Sequence, residues 1–286
     1  MMQERNTEEI LGALGLRPLS ARSVVASVLL GTHPPRLSAA ALVELCGRFG
    51  ITGGTTRVAL SRMVAASELA AEDGHYRLIG EGLLSRQRAQ DDALDPPAAR
   101  PWTGTWHMAV VISSGRAAAE RLELRRAFAD SRFAQWREGV WLRPDNLGRA
   151  VALPSEAPVR WLETRPDDDP AALAGELWDL AGWAAWGEAL LAAGPEEAGD
   201  LVAAEPAWSG AVFAAAAATL RHVRTDPLLP EMLLPPAWPA ERLRARYAHY
   251  LTAIQRLVRS LGGASPPENP PTRGASPPRT PQTPEA

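Results

Sequence analysis

A stretch rich in glycine and threonine at residues 50–63 offers two different ways of meeting a phosphate. It reads Gly-Ile-Thr-Gly-Gly-Thr-Thr-Arg-Val-Ala-Leu-Ser-Arg-Met. A nucleotide-binding P-loop requires G-x-x-x-x-G-K-[ST], whose lysine reaches the β- and γ-phosphates. The chain has no lysine, and the segment that ends at Phe49 has the pattern of a helix where a P-loop needs a strand. Nucleotide hydrolysis is therefore not expected of this stretch.

The same stretch fits the start of a helix that reads DNA. Thr52 is a good N-cap, and the two glycines after it would form a first turn whose backbone N–H groups approach a phosphate. The outer side of the helix would enter the major groove, where arginine pairs bidentately with guanine. With Thr52, the outward DNA-binding candidates are Thr55, Arg57, Val58, Ser61 and Arg62. The inward positions, at the spacing of one helical stripe, are Thr56, Ala59, Leu60 and Met63. A solvated amphipathic helix in a helical bundle remains the alternative.

A predicted hairpin supplies the second candidate contact with DNA. Residues 68–79 hold two short apolar segments around Asp73-Gly74, a dipeptide favoured in tight hairpin turns. His75 and Arg77 follow that turn, close to two acidic residues. We expect both to lie on a wing beside the DNA, with a phosphate contact from Arg77.

Three short helices are predicted before this hairpin. They start from capping hydroxyl residues at Ser20, Ser38 and Thr52, and a Pro34-Pro35 loop separates the first two. Three helices followed by a hairpin describe a winged helix-turn-helix. We place this domain at residues 20–93, with a polar connecting helix at its end.

The rest of the chain is predicted to form three further parts. A linker at Asp95–Pro101 leads into a segment with the order strand, helix, strand, strand, helix, in which Glu138–Pro144 is a strand. This order predicts a ferredoxin-like domain at residues 100–180. A helical effector or dimerisation domain follows at 181–261, and the proline-rich residues 262–286 are predicted to be disordered. The predicted fold class is α+β.

The charge of the chain is distributed unevenly. Its net charge is −3 and all 30 basic residues are arginine, but Glu163–Glu205 holds eleven acids against one arginine. An acidic middle repels a polyanion, so a contact with DNA must come from another part of the chain. Residues 20–78 hold six arginines against four acids. All ten tryptophans lie at or beyond Trp102, which makes the first hundred residues chemically distinct.

The sequence gives little support to membrane, metal or catalytic sites. It has no run of about eighteen uncharged apolar residues and no apolar signal-peptide stretch at its start, which predicts a cytoplasmic protein. The single cysteine, Cys46, lies on an apolar helix face and is predicted to be buried. The five histidines lack the spacing of a zinc site, and Ser113 and Ser114 lack the glycine of a nucleophile elbow. We expect no enzymatic activity, no metal and no cofactor.

Three motifs follow one another along the chain. They are TTRVALSRMVAASELA at 55–70, EGVWLRP at 138–144 and TDPLLPEMLLPPAWPAERLRARY at 225–247. Together they resemble the PaaX family of bacterial transcriptional regulators. The resemblance implies a winged helix, a central ferredoxin-like domain similar to the small CRISPR-associated nucleases, and a helical C-terminal domain. It also implies a homodimeric repressor that binds an operator in double-stranded DNA, controls phenylacetate catabolism and is released by phenylacetyl-coenzyme A.

The family motifs fall on particular residues of this chain. The R-x-A-L-S-R core falls on Arg57, Ala59, Leu60, Ser61 and Arg62, and W-x-R-P falls on Trp141, Leu142, Arg143 and Pro144. Because an acyl-coenzyme A carries phosphates, its site should include arginines. The effector-binding candidates in the second half of the chain are Arg121, Arg125, Arg126, Trp141 and Arg143.

Two departures from the family pattern accompany this resemblance. Ala240 stands where the family often has glycine after Trp-Pro. The first central strand runs into Ser113 and Ser114, where nucleases of similar fold have an acid, so the central domain is expected to be a scaffold or sensor. Two alternatives to a regulator remain open. One is a metal-dependent nuclease built on the central domain, and the other is an adaptor that uses the winged helix to contact protein.

Overall fold

The structure is a computed structural model that describes residues 19–32, 34–96, 98–112, 117–147, 158–194 and 206–261, together with Gly12 and Leu153. The predicted disordered tail at 262–286 lies outside the described residues, as do Ser113 and Ser114. The described part is an α+β structure with two small antiparallel sheets. None of its helices is both long enough and apolar enough to cross a membrane.

The N-terminal part begins with three short helices, α1 (Ala21–Leu30), α2 (Ala39–Arg48) and α3 (Gly53–Ala65). Each starts after a hydroxyl residue whose side-chain oxygen accepts a backbone N–H of the first turn: Ser20 from Ser23, Ser38 from Ala41, and Thr52 from Thr55. These caps satisfy donors that a helix start otherwise leaves open, which is why the three boundaries are readable from the sequence. Cys46 on α2 is fully buried, and burial raises the pKa of its thiol.

A three-stranded antiparallel sheet completes this part. Its strands are β1 (Arg36–Ser38), β2 (Leu69–Glu72) and β3 (His75–Leu78), in the order β1-β3-β2. The hairpin between β2 and β3 turns at Asp73 and Gly74, which both have positive φ. Strand β1 corrects the expectation of a plain loop after Pro34 and Pro35. Those prolines favour extended backbone after the helix end, and Leu37 is buried on the inner face of the sheet.

Helix α4 (Glu81–Leu94) leads to a four-stranded sheet. Its strands are β4 (Trp106–Val111), β5 (Ala134–Arg137), β6 (Val140–Pro144) and β7 (Val159–Thr164). They lie in the order β5-β6-β4-β7 and every pair is antiparallel. Helix α5 (Ala118–Asp130) connects β4 to β5. Strand β5 was not predicted, because it has only four residues and an irregular register with β6.

The two faces of this sheet are covered by different elements. On one face, Phe128 of α5 stacks on Trp141 of β6 with ring centroids 4.8 Å apart. On the other, Trp106 of β4 packs with Leu173 of helix α6 (Pro170–Leu177) and with Trp178 after it. Both faces of this sheet therefore bury tryptophan side chains in their cores.

Three longer helices and one short turn form the C-terminal part. They are α7 (Leu180–Ala193), α8 (Pro206–Val223), a 3-10 turn (Glu231–Leu233) and α9 (Ala240–Ser260). One buried cluster joins α8 and α9 to the N-terminal helices: Val24 and Leu45 lie in the same cluster as Phe213, Tyr250 and Leu257. The sequence pattern did not anticipate this shared core. It ties α8 and α9 to the part that carries α3.

Candidate nucleic-acid interface

Helix α3 has one buried side and one exposed side. Thr56, Leu60 and Met63 are at most 1% exposed, and Ala59 is partly buried. The six sequence candidates on or before this helix all lie on its exposed side: Thr52, Thr55, Arg57, Val58, Ser61 and Arg62. Val58 is 52% exposed, although it is a large apolar residue. The structure therefore brings these candidates onto one continuous polar surface with an apolar residue in it.

The start of α3 is shaped for close approach. The Thr52 hydroxyl oxygen accepts the N–H of Thr55 at 3.2 Å, and the first turn holds no acidic residue. A Cβ at Gly53 would meet Val43 Cγ1 of α2 at 3.2 Å, so glycine lets the two helices pack tightly here. Gly54 is exposed. A helix N-terminus with open N–H groups and no acid attracts anions, including phosphate.

Arg57 and Arg62 are available for a ligand. Neither side chain makes an ion pair or hydrogen bond with another residue in the described ranges of the chain. Both residues are exposed and lie outside the buried stripe of α3, and the Arg57 guanidinium lies close to Gly53 at the start of the helix. An arginine that satisfies no internal partner is free to bind a base edge or a phosphate without first breaking a protein contact.

The outer face of the three-stranded sheet is basic. Arg36 of β1 lies directly opposite Arg77 of β3, and paired residues share one face of a sheet. His75 lies two residues before Arg77 and therefore on that same face. We call Arg36, His75 and Arg77 the wing face. Arg36 was not predicted as a DNA contact from the sequence. The three residues of β1, between Pro35 and helix α2, are too short a pattern to indicate a strand.

Two contacts limit how freely the wing face can act. The Arg77 guanidinium pairs with the carboxylate of Glu72 at 3.2 Å, and both side chains are exposed. His75 Nδ1 lies 2.9 Å from the carbonyl oxygen of Asp73. A carbonyl oxygen only accepts hydrogen bonds, so this geometry assigns the proton of the imidazole to Nδ1. Nε2 is then the ring nitrogen that remains for a contact with a ligand. The Glu72 carboxylate offsets part of the positive charge that Arg36 and Arg77 bring.

The five effector candidates do not form one surface. Arg121, Arg125 and Arg126 are exposed on α5, whereas Trp141 and Arg143 lie beneath that helix and are 7% and 3% exposed. The five residues therefore remain separate candidates for an effector contact. Trp141 is held by its stack on Phe128. A bulky aromatic side chain on a central strand fills space in the core. The W-x-R-P motif alone did not reveal that Trp141 has this structural place.

Arg143 is an interior side chain. Its Nη1 donates to the carbonyl oxygen of Ser131 at 2.6 Å, and its Cζ lies 4.5 Å from the ring centroid of Phe133. Its Nε and Nη2 have no hydrogen-bond partner within the described residues. Burial lowers the pKa of the guanidinium to about 10, although Asp145 opposes the shift. The arginine of the W-x-R-P motif therefore supports the end of α5 from inside.

Two family models match this chain in the order of its parts. The model described as PaaX-like protein matches residues 20–86, which contain α3 and the wing face. The model described as PaaX protein central Cas2-like domain matches residues 99–156, which contain strands β4 to β6. No curated protein matches the chain.

A solved structure is similar over most of the chain. It is the uncharacterized protein Rv0674 from Mycobacterium tuberculosis, which is 45% identical, with a TM-score of 0.68. The alignment covers 85% of this chain and 99% of that one. With two successive family models matched and a relative of this identity over nearly its full length, the chain belongs to the PaaX family.

Proposed function

We propose that the protein is a DNA-binding transcriptional regulator in which α3 lies in the major groove and the wing face contacts the backbone beside it. The observation that carries this proposal is the exposed side of α3. There, Arg57 and Arg62, which make no ion pair or hydrogen bond with a described residue, follow a capped helix start, and residues 52–66 hold no acid. Membership of the PaaX family supports transcriptional regulation linked to phenylacetic acid catabolism.

The domain assignments belong to the same proposal. Helices α1 to α3 followed by the β2–β3 hairpin support a winged helix-turn-helix. The strand order β5-β6-β4-β7, with α5 joining β4 to β5, supports a ferredoxin-like central unit. We further propose that the protein is a cytoplasmic homodimer that represses an aromatic-acid operon. An aryl-acyl-coenzyme A would release it from its operator.

Binding to DNA and its dependence on salt test the central claim. The protein should bind fragments from beside its own gene more tightly than scrambled fragments of equal length, by about a thousandfold or more. Affinity for both should fall steeply as salt rises, because bound arginines release counterions from phosphates. Fluorescence anisotropy at several salt concentrations measures both quantities. An affinity for DNA that is absent, or does not change with salt, would favour the adaptor function instead.

The wing face yields a prediction of its own. Arg36→Ala and Arg77→Ala should each weaken binding to all DNA sequences about equally and reduce the salt slope by about 0.9, because each removes one phosphate contact. Glu72→Gln should do the opposite, raising affinity by about twofold to fivefold, since an exposed ion pair is weak and its loss frees Arg77.

The matched control for this prediction is Glu81→Gln. Glu81 is exposed at the start of α4, outside the wing face, so its neutralisation should leave affinity within about twofold of the unmodified protein. Anisotropy titrations of the four variants on one operator and one scrambled fragment provide the readout. Equal effects of Glu72→Gln and Glu81→Gln would show that net charge, not the wing face, sets the affinity.

A further inference from the structure

A cavity of about 410 Å³ lies between the N-terminal helices and the C-terminal helices. Residues of α1 and α4 form one side, and residues of α8 and α9 form the other. Apolar side chains line much of it, among them Phe213, Leu251 and Ile254. A cavity of this size at a junction between two parts of a protein is typical of a small-molecule site.

The polar lining of this cavity carries only positive charge. Its charged members are Arg22, Arg86, Arg221 and Arg224, and no carboxylate lines it within the described residues. Arg221 lies in the last turn of α8 and Arg224 directly follows the end of that helix, and both line the cavity. We call these four residues the arginine rim. Four cations around one opening repel one another unless an anion lies between them.

The arginine rim is only partly occupied by internal partners. Arg22 pairs with Glu68, and both groups lie toward solvent. The side chains of Arg86, Arg221 and Arg224 make no ion pair or hydrogen bond with any residue that the structure describes. Arg22, Arg86 and Arg221 are exposed, and Arg224 is half-buried. The charged arginine side chains therefore lie at the mouth of the cavity, and the apolar side chains that line it lie deeper.

A neutral hydrogen-bonding group lies inside the cavity. Tyr247 is 6% exposed, and its hydroxyl oxygen accepts a hydrogen bond from Gln90 Nε2 at 3.3 Å. Burial, with Asp91 as the second cause, raises the pKa of this phenol to about 12. The hydroxyl therefore keeps its proton at neutral pH and can donate it to a carbonyl oxygen of a bound molecule.

We propose that this cavity binds an amphipathic organic anion, with an apolar acyl or aryl body against Phe213 and Leu251 and anionic groups on the arginine rim. Carboxylate and phosphate both suit guanidinium donors, so the shared chemistry is an oxyanion attached to an apolar group. The binding claim stands on the cavity alone. Its regulatory meaning rests on the proposed function, in which this ligand is the effector.

The position of the cavity gives a route to the DNA-binding helix. Helix α1, which lines the cavity, packs against α3, and Gly31 at its end lies against Leu251 of α9. An added Cβ at Gly31 would stand 3.4 Å from Leu251 Cδ1. A ligand that contacts both α1 and α9 favours one relative position of these helices over another. It can change the affinity for DNA only by as much as its own affinity differs between the two positions.

A direct binding experiment without DNA tests the site. The probe is 8-anilinonaphthalene-1-sulfonate, an apolar anion whose fluorescence rises on binding. The double variant Arg86→Ala/Arg221→Ala should raise its Kd by about 10- to 100-fold, because two charge-assisted contacts are lost. Ala217→Phe, which adds a ring to a partly exposed cavity residue, should also abolish binding by filling the space.

The matched control is Arg88→Ala/Arg256→Ala. It removes two exposed arginines from α4 and α9 that do not line the cavity, and should leave Kd within about twofold. Arg88 is two residues from Arg86 and therefore points to nearly the opposite side of the same helix. Unchanged thermal unfolding of the double variants shows that a change in Kd reflects the site and not the fold.

The outcomes separate this proposal from the proposed function. Wild-type binding in both Arg86→Ala/Arg221→Ala and Ala217→Phe overturns the cavity as the anion site, whatever the protein does with DNA. Loss of binding in those variants but not in the control supports the site even if no operator is found. Displacement of the probe by an aryl carboxylate, compared with its coenzyme A thioester, then shows whether the rim prefers one oxyanion or several phosphates.

Discussion

Replacing both Arg57 and Arg62 by alanine should weaken specific DNA binding by roughly 30-fold to 25,000-fold. Each bidentate contact between arginine and a base is worth about 1–3 kcal/mol, and the two together would account for about 2–6 kcal/mol. Each single variant should also lose discrimination at a different base pair. The wing variants, in contrast, should lower affinity for all sequences alike. Competition between operators that differ at single positions measures this difference.

The fold should survive the loss of both arginines. Both residues are exposed and make no ion pair or hydrogen bond with a described residue, and their replacement leaves the buried stripe of α3 unchanged. Exposed substitutions of this kind usually change the free energy of unfolding by about 0.5 kcal/mol or less. The matched control is Arg125→Ala/Arg126→Ala, which removes the same charge from exposed positions on α5. Full specific affinity in the Arg57→Ala/Arg62→Ala protein would refute α3 as the recognition helix.

The features that sequence could predict are those set by neighbouring residues. Helix α3 was readable because Thr52 caps it and its buried positions recur at helical spacing. The turn at Asp73-Gly74 was readable for the same local reason. Strand β1 was not, because its three residues become a strand only through pairing with β3, some forty residues away in the chain. Arg36 was therefore left out of the candidate site.

Prediction from neighbouring residues fails more clearly for the two candidate effector regions, which are the arginines of α5 and the arginine rim. Arg121, Arg125 and Arg126 were candidates because they are arginines in the second half of the chain, yet they are exposed on α5 whereas Trp141 and Arg143 are buried. The arginine rim draws Arg22 and Arg86 from the N-terminal part and Arg221 and Arg224 from the C-terminal part. No local pattern connects these residues. The shared core of α1, α4, α8 and α9 brings them together.

Asp226→Ala should destabilise the folded protein more than any exposed substitution, by about 3–5 kcal/mol. Asp226 is 2% exposed and belongs to the Asp-Pro-Leu-Leu-Pro stretch of the third family motif. Its Oδ2 accepts from Arg244 Nη2 at 2.6 Å, and its Oδ1 accepts the N–H of Leu228 at 3.1 Å. Removal of one partner of a buried pair leaves the other charge uncompensated, which is the costly part.

The same carboxylate links several parts of the chain. Its Oδ1 also lies 3.4 Å from Trp238 Nε1, which donates to it, and Arg244 Nε donates to the carbonyl oxygen of Ala93 on α4 at 3.0 Å. Asp226 therefore anchors the irregular segment between α8 and α9 and, through Arg244, the end of α4. Its loss should loosen the wall of the cavity that α4 and α9 form. Without the carboxylate, the largely buried Arg244 guanidinium would need a water molecule as its hydrogen-bond partner.

Urea unfolding of a matched pair of variants checks this prediction. Glu188→Ala is the control, because Glu188 forms an ion pair with Arg242 in which both side chains are about half exposed. An exposed pair contributes at most about 1 kcal/mol, so the control should unfold close to the unmodified protein. The double variant Asp226→Ala/Arg244→Met should recover part of the loss, since it leaves no unpaired charge. Equal stability of the Asp226→Ala and Glu188→Ala proteins would mean that the motif's aspartate is not the anchor that its three side-chain contacts indicate.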